Sequence, residues 1–205
     1  MTHCRRIVVR LLRAFAPAAA LLLAGCGSAY KPQTGDLVFQ SLPHGRLVDA
    51  IEGATGSPYS HCGIVEENTI RWSVIEAIGP VKSTTLYEWK KRGRGEKIWV
   101  YRLKDKTPEE RTALAEAAKA YLGRPYDIRY RMDDEKIYCS ELLYKAHLTL
   151  TGRPLGKIQT LGGLDWKPFE ELIREIEKAP PPLDREMITP RAVSEAPELE
   201  FVGEF

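Results

Sequence analysis

Cys139 stands where a strand-like run gives way to a helical pattern, which places it in the first turn of a helix. The segment reads IYCSELLYKA, and Leu142, Leu143 and Ala146 recur at helical spacing. Unpaired backbone N–H groups and the positive end of the helix dipole stabilise a thiolate there, and the thiolate is the nucleophilic form of cysteine. The segment therefore predicts a reactive cysteine, although on its own it leaves open a buried structural one.

A thiol nucleophile needs a base, and two predicted strands downstream of the N-terminus supply a candidate. His61 begins HCGIVEE, and Glu76 lies in IRWSVIEAIG, with an Asn-Thr dipeptide between the two runs. In a hairpin centred on that dipeptide, His61 and Glu76 are directly opposed, with Cβ atoms about 4.5–5.5 Å apart. Glu76 alternates with apolar residues, and a carboxylate on an apolar face needs a partner. We therefore predict a His61–Glu76 hydrogen bond.

These three residue types can support nucleophilic cleavage of a carbonyl compound. The Cys139 thiol would attack the carbonyl, His61 would take the thiol proton and later protonate the leaving amine, and Glu76 would fix the imidazole tautomer. The backbone N–H of Cys139 would be an oxyanion donor. The chain order of histidine, glutamate and cysteine is unusual for this chemistry.

One other cysteine, Cys62, lies between residues 35 and 205, and it directly follows His61. Neighbouring residues of a strand point to opposite faces, so Cys62 is expected to face away if His61 faces Cys139. A disulfide between Cys62 and Cys139 is then disfavoured. The pattern predicts that Cys62 is a small core residue.

The elements that position these residues read as a mixture of helices and strands. Strands are predicted at 35–40, 61–67, 70–79, 97–103 and 199–202, and helices at 46–53, 84–93, 107–122, 139–150 and 166–178. Residues 155–164 are expected to form a surface loop. The pattern indicates an α+β protein.

The first 25 residues are typical of a bacterial export signal. Arginines reach to Arg13, an apolar run too short to span a bilayer follows, and the signal ends in LAGC. This ending resembles that of a lipoprotein signal, in which Cys26 is acylated and becomes the mature N-terminus. Gly27 follows Cys26 at the position where an aspartate would favour inner-membrane retention. We therefore expect the protein to be anchored at the periplasmic face of the outer membrane. Residues 26–34 would be a tether and residues 35–205 the folded domain.

Length and charge restrict the class of protein further. The 205 residues suffice for one domain, and the net charge of +2 depends on four arginines in the export signal. Removing them leaves 26 basic against 28 acidic residues, which gives no reason to expect nucleic acid as a partner. The acidic run at 133–135 has no accompanying histidine pair, so neither a metal nor another cofactor is predicted. The sequence does not determine an oligomeric state.

Several short motifs, in their order, carry a resemblance to a known family. GDLVF, SHCGIV, VIEA, a PYD segment before YCSEL, and a late ITP resemble the YiiX-like family, from Gly35 to about Val202. These proteins are circularly permuted relatives of papain and of NlpC-type peptidoglycan peptidases. The resemblance implies an α+β, permuted papain-like fold, in which an antiparallel sheet or partial barrel packs against helices that include the nucleophile helix. It also implies Cys139 as nucleophile, His61 as base and Glu76 as third member.

Three further residues are candidates for the oxyanion or substrate site. In the NlpC-type relatives a tyrosine of a PY segment helps to form the oxyanion site, and Tyr126 matches it. Tyr138 could shape the pocket or simply pack. Asp36 could bind a substrate amine or cap its turn, and a cap is the expected role.

The sequence leaves three functional hypotheses. The first is a lipid-anchored cysteine hydrolase that cuts an amide bond, plausibly in peptidoglycan-derived peptides. The second is an acyltransferase or lipid-ester hydrolase of the lecithin-retinol acyltransferase type, because those enzymes share the permuted arrangement and a membrane anchor brings lipid close. The third is a non-catalytic binding module of the cell envelope. Fold alone does not decide between them.

Overall fold

A computed structural model describes residues 29–205 of the chain. The predicted export signal and the predicted acylation of Cys26 lie outside these residues. Within 29–205, none of the helices has the length and apolar character needed to cross a bilayer.

The described residues form short strands and helices that alternate along the chain. The strands are β1 (Leu37–Gln40), β2 (His61–Glu67), β3 (Trp72–Ala77), β4 (Val81–Thr85), β5 (Trp99–Leu103), β6 (Gln159–Thr160), β7 (Glu186–Met187) and β8 (Leu199–Glu204). The helices are α1 (Arg46–Thr55), α2 (Leu86–Arg92), α3 (Pro108–Lys119), α4 (Cys139–Thr151), α5 (Glu170–Glu177) and α6 (Pro190–Ser194).

Six of the strands form one antiparallel sheet in the order β4-β3-β2-β1-β5-β8. Alternate residues of the central strands divide between two apolar layers, as the period of two requires. Phe39, Cys62 and Ile75 belong to the main core, which also contains buried residues of α3 and α4. Val38 and Val74 belong to a smaller core with Trp89 of α2. Helices therefore cover both faces of the sheet, and α4 lies on the face that carries Cys62.

The start of α3 is held as the sequence predicted. The Thr107 side chain accepts a hydrogen bond from the Glu110 N–H, and the Glu110 carboxylate accepts one from the Thr107 N–H. Pro108 occupies the first turn, where its missing N–H costs nothing. Buried Leu114 and Ala118 of this helix join the main core.

The loop between β2 and β3 is longer than predicted. The strands pair Glu67 with Trp72, so four residues form the turn instead of two. Both loop lengths are even, and a shift of two residues keeps every side chain on its predicted face. Continuing the ladder from Ile64 and Ile75 places Gly63 opposite Glu76, and the His61–Glu76 pair becomes diagonal.

Other expectations needed correction. Strand β4 lies within residues that were not predicted to pair, and the short β6–β7 ladder occupies part of the predicted surface loop. The helix predicted from residue 166 begins at Glu170, after a 3-10 turn that contains Pro168. The predicted tether is partly folded onto the domain, because Tyr30 stacks on Phe205 and its hydroxyl donates to Asp36.

Candidate active site

The nucleophile candidate lies at the N-terminus of α4, where the sequence placed it. Tyr138 is the N-cap residue and Cys139 is the first residue of the helix. The start of the helix is fastened to the segment before α6: Ser140 Oγ donates to the Ile188 carbonyl at 2.9 Å, and the Ile188 N–H donates to the Tyr138 hydroxyl at 2.9 Å. These bonds fix the first turn, so the Cys139 backbone N–H keeps a defined direction.

The predicted histidine–carboxylate pair forms. His61 Nε2 lies 2.5 Å from Glu76 Oε2, and both side chains are buried. A side chain at position 63 would collide with Val74, since a Cβ built there lies 2.4 Å from that residue. Gly63 therefore leaves the space in which the diagonal pair meets.

Glu76 is held by more than its histidine. Thr84 Oγ1 donates to Glu76 Oε1 at 2.6 Å, and the Arg92 guanidinium donates to Oε2. Burial by itself would raise the pKa of Glu76, but hydrogen bonds from His61, Arg92 and Thr84 lower it to about 2. Glu76 is therefore ionised at neutral pH.

The histidine and the cysteine are coupled electrostatically. Burial alone would lower the pKa of His61, but hydrogen bonds to Cys139 and Glu76 raise it to about 9. Hydrogen bonding from Cys62 holds the pKa of Cys139 well below its usual range, against the effect of burial and with the help of His61. The arrangement therefore favours a thiolate–imidazolium pair at neutral pH.

Cys62 is a buried residue of the main core, as the sequence predicted. The expectation that it faces away from Cys139 was wrong, because α4 packs on the sheet face that carries Cys62 and Cys139 belongs to the same core. Both cysteines are free thiols. Burial, followed by the neighbouring Cys139, raises the pKa of Cys62, so Cys62 stays protonated.

The three oxyanion or substrate candidates have different surroundings. Tyr126 lies near the site: its hydroxyl is 3.3 Å from that of Tyr130, and burial, Tyr130 and then Cys139 raise its pKa. Tyr138 is fully buried, and its hydroxyl bonds Met132 and Ile188.

Asp36 is likewise fully buried, and it accepts hydrogen bonds from Tyr30, the Gln33 N–H and Arg102. Those partners occupy its carboxylate and tie the N-terminal segment to the sheet. Of the alternatives that the sequence left open, the structure favours packing for Tyr138 and the turn cap for Asp36, because both are packed inside the protein with their polar groups bonded to it.

Comparison with known proteins decides the family. The family model described as permuted papain-like amidase enzyme, YaeF/YiiX, C92 family, matches residues 31–203. The chain belongs to this permuted papain-like amidase family. Its fold and its cysteine hydrolase character follow, as the motifs predicted.

Two relatives of this amidase family agree with the match. The chain is 34% identical over 187 residues to an uncharacterized protein YiiX of Escherichia coli strain K12, which covers 90% of this chain and 92% of the relative. A crystal structure described as metalloprotein yiiX from Escherichia coli O157:H7 matches with a TM-score of 0.81 and 35% identity, over 86% of this chain and 99% of the other. Among residues 29–205 of the present chain, no group of three or more His, Cys, Asp or Glu side chains could hold a metal ion.

Helix α2 supplies site residues that sequence reasoning missed in this family member. Trp89 is buried, and its ring centroid lies 6.1 Å from that of His61. Arg92, at the last position of the same helix, reaches Glu76. A signal was present in the spacing, because Trp89 and Arg92 are three residues apart and share one helix face.

An apolar cavity opens beside Cys139. It has a volume of about 110 Å³ and is lined by Cys139 and by residues of α1, α5 and the segments around them. The lining residues from α1 are Leu47, Ala50, Ile51 and Ala54, and those from α5 are Leu172, Ile173 and Ile176. None of these seven side chains is buried. The two helices are joined by an ion pair between Arg46 and Glu175.

Loss of Arg92 is expected to destabilise the protein in a pH-dependent way. Arg92→Gln removes a charged hydrogen bond to buried Glu76, so the free energy of unfolding should fall by about 1.5–3 kcal/mol at pH 7. Because the folded pKa of Glu76 is depressed to about 2, its ionisation stabilises the fold above pH 4.5 and this stability is lost as pH falls towards 2. Urea unfolding at pH 7 and at pH 3 should show the larger difference at pH 7.

Arg71, exposed in the β2–β3 turn, provides the matched control for this experiment. Arg71→Gln should change the free energy of unfolding by less than about 0.5 kcal/mol at either pH. Equal effects of the two substitutions would show that Arg92 does not stabilise Glu76.

Proposed function

We propose that this chain is a lipid-anchored cysteine hydrolase of the cell envelope, with Cys139 as nucleophile, His61 as general base and acid, and Glu76 as the orienting group. The observation that carries the proposal is the buried His61–Glu76 pair, 2.5 Å apart, next to Cys139 at the start of α4, where His61 and Cys139 shift each other's pKa. A histidine oriented by a carboxylate and coupled to a thiol is the arrangement that nucleophilic acyl transfer requires.

The proposed reaction has two steps. The Cys139 thiolate forms a bond to the substrate carbonyl carbon, and the C–N bond then breaks as the His61 proton passes to the leaving amine. A water molecule next loses a proton to His61 and attacks the resulting thioester. The C–S bond then breaks, the carboxylic acid is released, and the Cys139 thiolate and protonated His61 of the starting state are restored.

Two groups are proposed to stabilise the oxyanion in this scheme. The Cys139 N–H is one of the unpaired donors at the start of α4, and its direction is fixed by the bonds of Ser140 and Tyr138. Tyr126 is the second proposed donor, because its pKa responds to Cys139. Tyr126→Phe should then lower kcat more than it raises KM.

Two substrate classes are consistent with the proposed chemistry. A peptidoglycan-derived peptide is the one expected from the predicted lipoprotein signal and the periplasmic compartment. An acyl ester or acyl amide, handled by transfer or hydrolysis, is the second candidate, and the apolar cavity beside Cys139 favours it.

A cysteine-directed activity probe and two digests test the proposal. Wild-type protein should be labelled on Cys139 between pH 5 and 9, and Cys139→Ala should not be labelled. Incubation with muropeptides and, separately, with phospholipids, followed by mass spectrometry, should release a product from one of them. Absence of labelling throughout this pH range would favour a non-catalytic envelope module instead.

A further inference from the structure

Two strongly exposed apolar side chains lie at one end of the six-stranded sheet. Ile70, in the β2–β3 turn, is 86% exposed, and Tyr87, in the first turn of α2, is 71% exposed. Tyr87 and its neighbours line a depression in the surface, and Ile70 adjoins this depression through Arg71. The turn–helix patch consists of Ile70, Arg71, Trp72, Leu86, Tyr87 and Lys90. Exposed apolar side chains grouped in this way are typical of an interaction surface.

Charges of both signs surround the apolar side chains of the patch. Arg71 and Lys90 belong to it, and Lys91 Nζ lies 5.9 Å from the centre of the Tyr87 ring. Glu88 lies beside Tyr87 in the depression, and exposed Glu67 is paired with Trp72 across the ladder. Because these charges balance, a partner would be held by apolar contact and not by net charge. Tyrosine, tryptophan and long basic side chains next to apolar ones are characteristic of the interface between a bilayer and water.

The N-terminal segment lies on the same face of the sheet as the patch. Tyr30, Trp72, Leu86 and Phe205 all pack on the smaller core. Cys26, the predicted acylation site, precedes Tyr30 by four positions. A fully extended chain of four residues spans at most about 14 Å. Acyl chains on Cys26 would therefore hold this face of the domain close to the bilayer.

The catalytic residues lie at the other end of the elements that carry the patch. His61 begins β2 and Glu67 ends it, and six residues of extended strand span about 20 Å. Helix α2 begins at Leu86 in the patch and ends at Arg92, which reaches the catalytic carboxylate. Cys139 starts α4, which covers the opposite face of the sheet. Contact between the patch and a bilayer would therefore leave the entrance to Cys139 uncovered.

We infer that the turn–helix patch rests on a phospholipid bilayer, with Ile70 and Tyr87 among the headgroups and Cys139 directed away from the lipid. The inference rests on the lipid anchor of the proposed function and adds an orientation to it. A short tether makes the second contact intramolecular, so two inserted side chains suffice to orient the domain. In this orientation Cys139 meets substrates that approach from the compartment.

Quenching by labelled lipid tests this orientation. The acylated chain, carrying Cys139→Ala and either Ile70→Cys or Tyr87→Cys, is labelled with an NBD fluorophore and placed in phosphatidylcholine vesicles that contain a nitroxide-labelled lipid. Cys62 is buried, so the fluorophore reacts at the introduced cysteine. Emission at both positions should fall by at least about twofold relative to vesicles without nitroxide. The quenching should persist in high salt, because the contact is apolar.

The matched control is Leu148→Cys in the same background, because Leu148 is an exposed apolar residue of α4 on the opposite face. Its emission should change by less than about 20%. Equal quenching at the three positions, or no quenching at 70 and 87, would overturn the inference. Labels at 70 and 87 that are shielded from water but not quenched by lipid, in a protein that crosslinks as a dimer, would assign the patch to a second copy and also overturn it.

Two further measurements separate this inference from the proposed function. The mass of the N-terminal peptide reports the anchor: an acylated protein without quenching contradicts the orientation alone, and an unacylated one without quenching contradicts the anchor and the orientation together. Labelling of Cys139 by the activity probe reports the hydrolase. The double substitution Ile70→Ser and Tyr87→Ser should leave that labelling within twofold of wild type, while it abolishes the preference for the patch in a repeat of the quenching experiment at Lys90→Cys.

Discussion

Replacement of Cys139 by alanine is expected to lower kcat/KM by about 10⁴-fold or more and to abolish the covalent intermediate. Without the thiol no bond forms to the substrate carbonyl, and only the remaining donors and the binding surface act on the substrate. The effect is large because histidine and glutamate act through the nucleophile. Steady-state kinetics on an activated p-nitrophenyl ester, with intact-protein mass spectrometry, would measure both losses.

The control for this substitution is Cys62→Ala, which removes the neighbouring thiol. Cys62 lies next to Cys139 in the main core and lowers its pKa. Its loss should therefore slow turnover by about tenfold or less and raise the pKa of Cys139, while the acyl thioester still forms. If Cys62→Ala removed the thioester and Cys139→Ala retained it, the nucleophile would be misassigned. Thermal unfolding of both variants verifies that each is folded.

Substitution of His61 by alanine is the second change with a very large expected effect. His61 gives its proton to the leaving amine and keeps Cys139 ionised, so His61→Ala should lower kcat/KM by about 10³- to 10⁴-fold. Acylation of Cys139 should become undetectable on the time scale of the wild-type reaction. Rapid-quench mass spectrometry of the thioester would follow that step directly.

His44 is the matched histidine control for that experiment. It is exposed in the loop before α1, where it bonds Asp49. His44→Ala should change kcat/KM by less than about twofold. Persistence of turnover in His61→Ala would mean that another group acts as the base.

The contact between His61 and Glu76 was predicted correctly, although the predicted β2–β3 loop was two residues too short. Side chains alternate along a strand with a period of two, so this error left both residues on the predicted face of the sheet. The helix that begins at Cys139 was predictable because its pattern and its position after a strand-like run are local features. Local features also identified the capped start of α3.

Features that depend on long-range packing were not predictable in the same way. Strand alternation predicts that Cys62 and His61 point to opposite faces of the sheet, but it does not predict which face α4 covers. The bond from Arg92 to Glu76 joins residues 16 positions apart through a helix that crosses the second face. Tyrosine and aspartate are common in binding sites, so residue type alone did not distinguish Tyr138 and Asp36 from binding residues. Their burial in the folded protein shows that they are interior residues.

The cavity was also beyond the reach of sequence patterns. Half-apolar faces on α1 and α5 are typical of helices that cover a core. Only the tertiary arrangement shows that these two faces meet across a space instead of filling it. The cavity is therefore a property that the fold adds to the motifs.

The most direct test of the central claim, a Cys139 thiolate held by the His61 imidazolium, is the rate of Cys139 alkylation by iodoacetamide between pH 5 and 9.5. Peptide mass mapping distinguishes Cys139 from Cys62. The account predicts a rate that is already near its plateau at pH 6, because the pKa of Cys139 lies well below its usual range. A rate that stays low at pH 6 and rises with a midpoint of about 8.5, the value of an ordinary thiol, would contradict it.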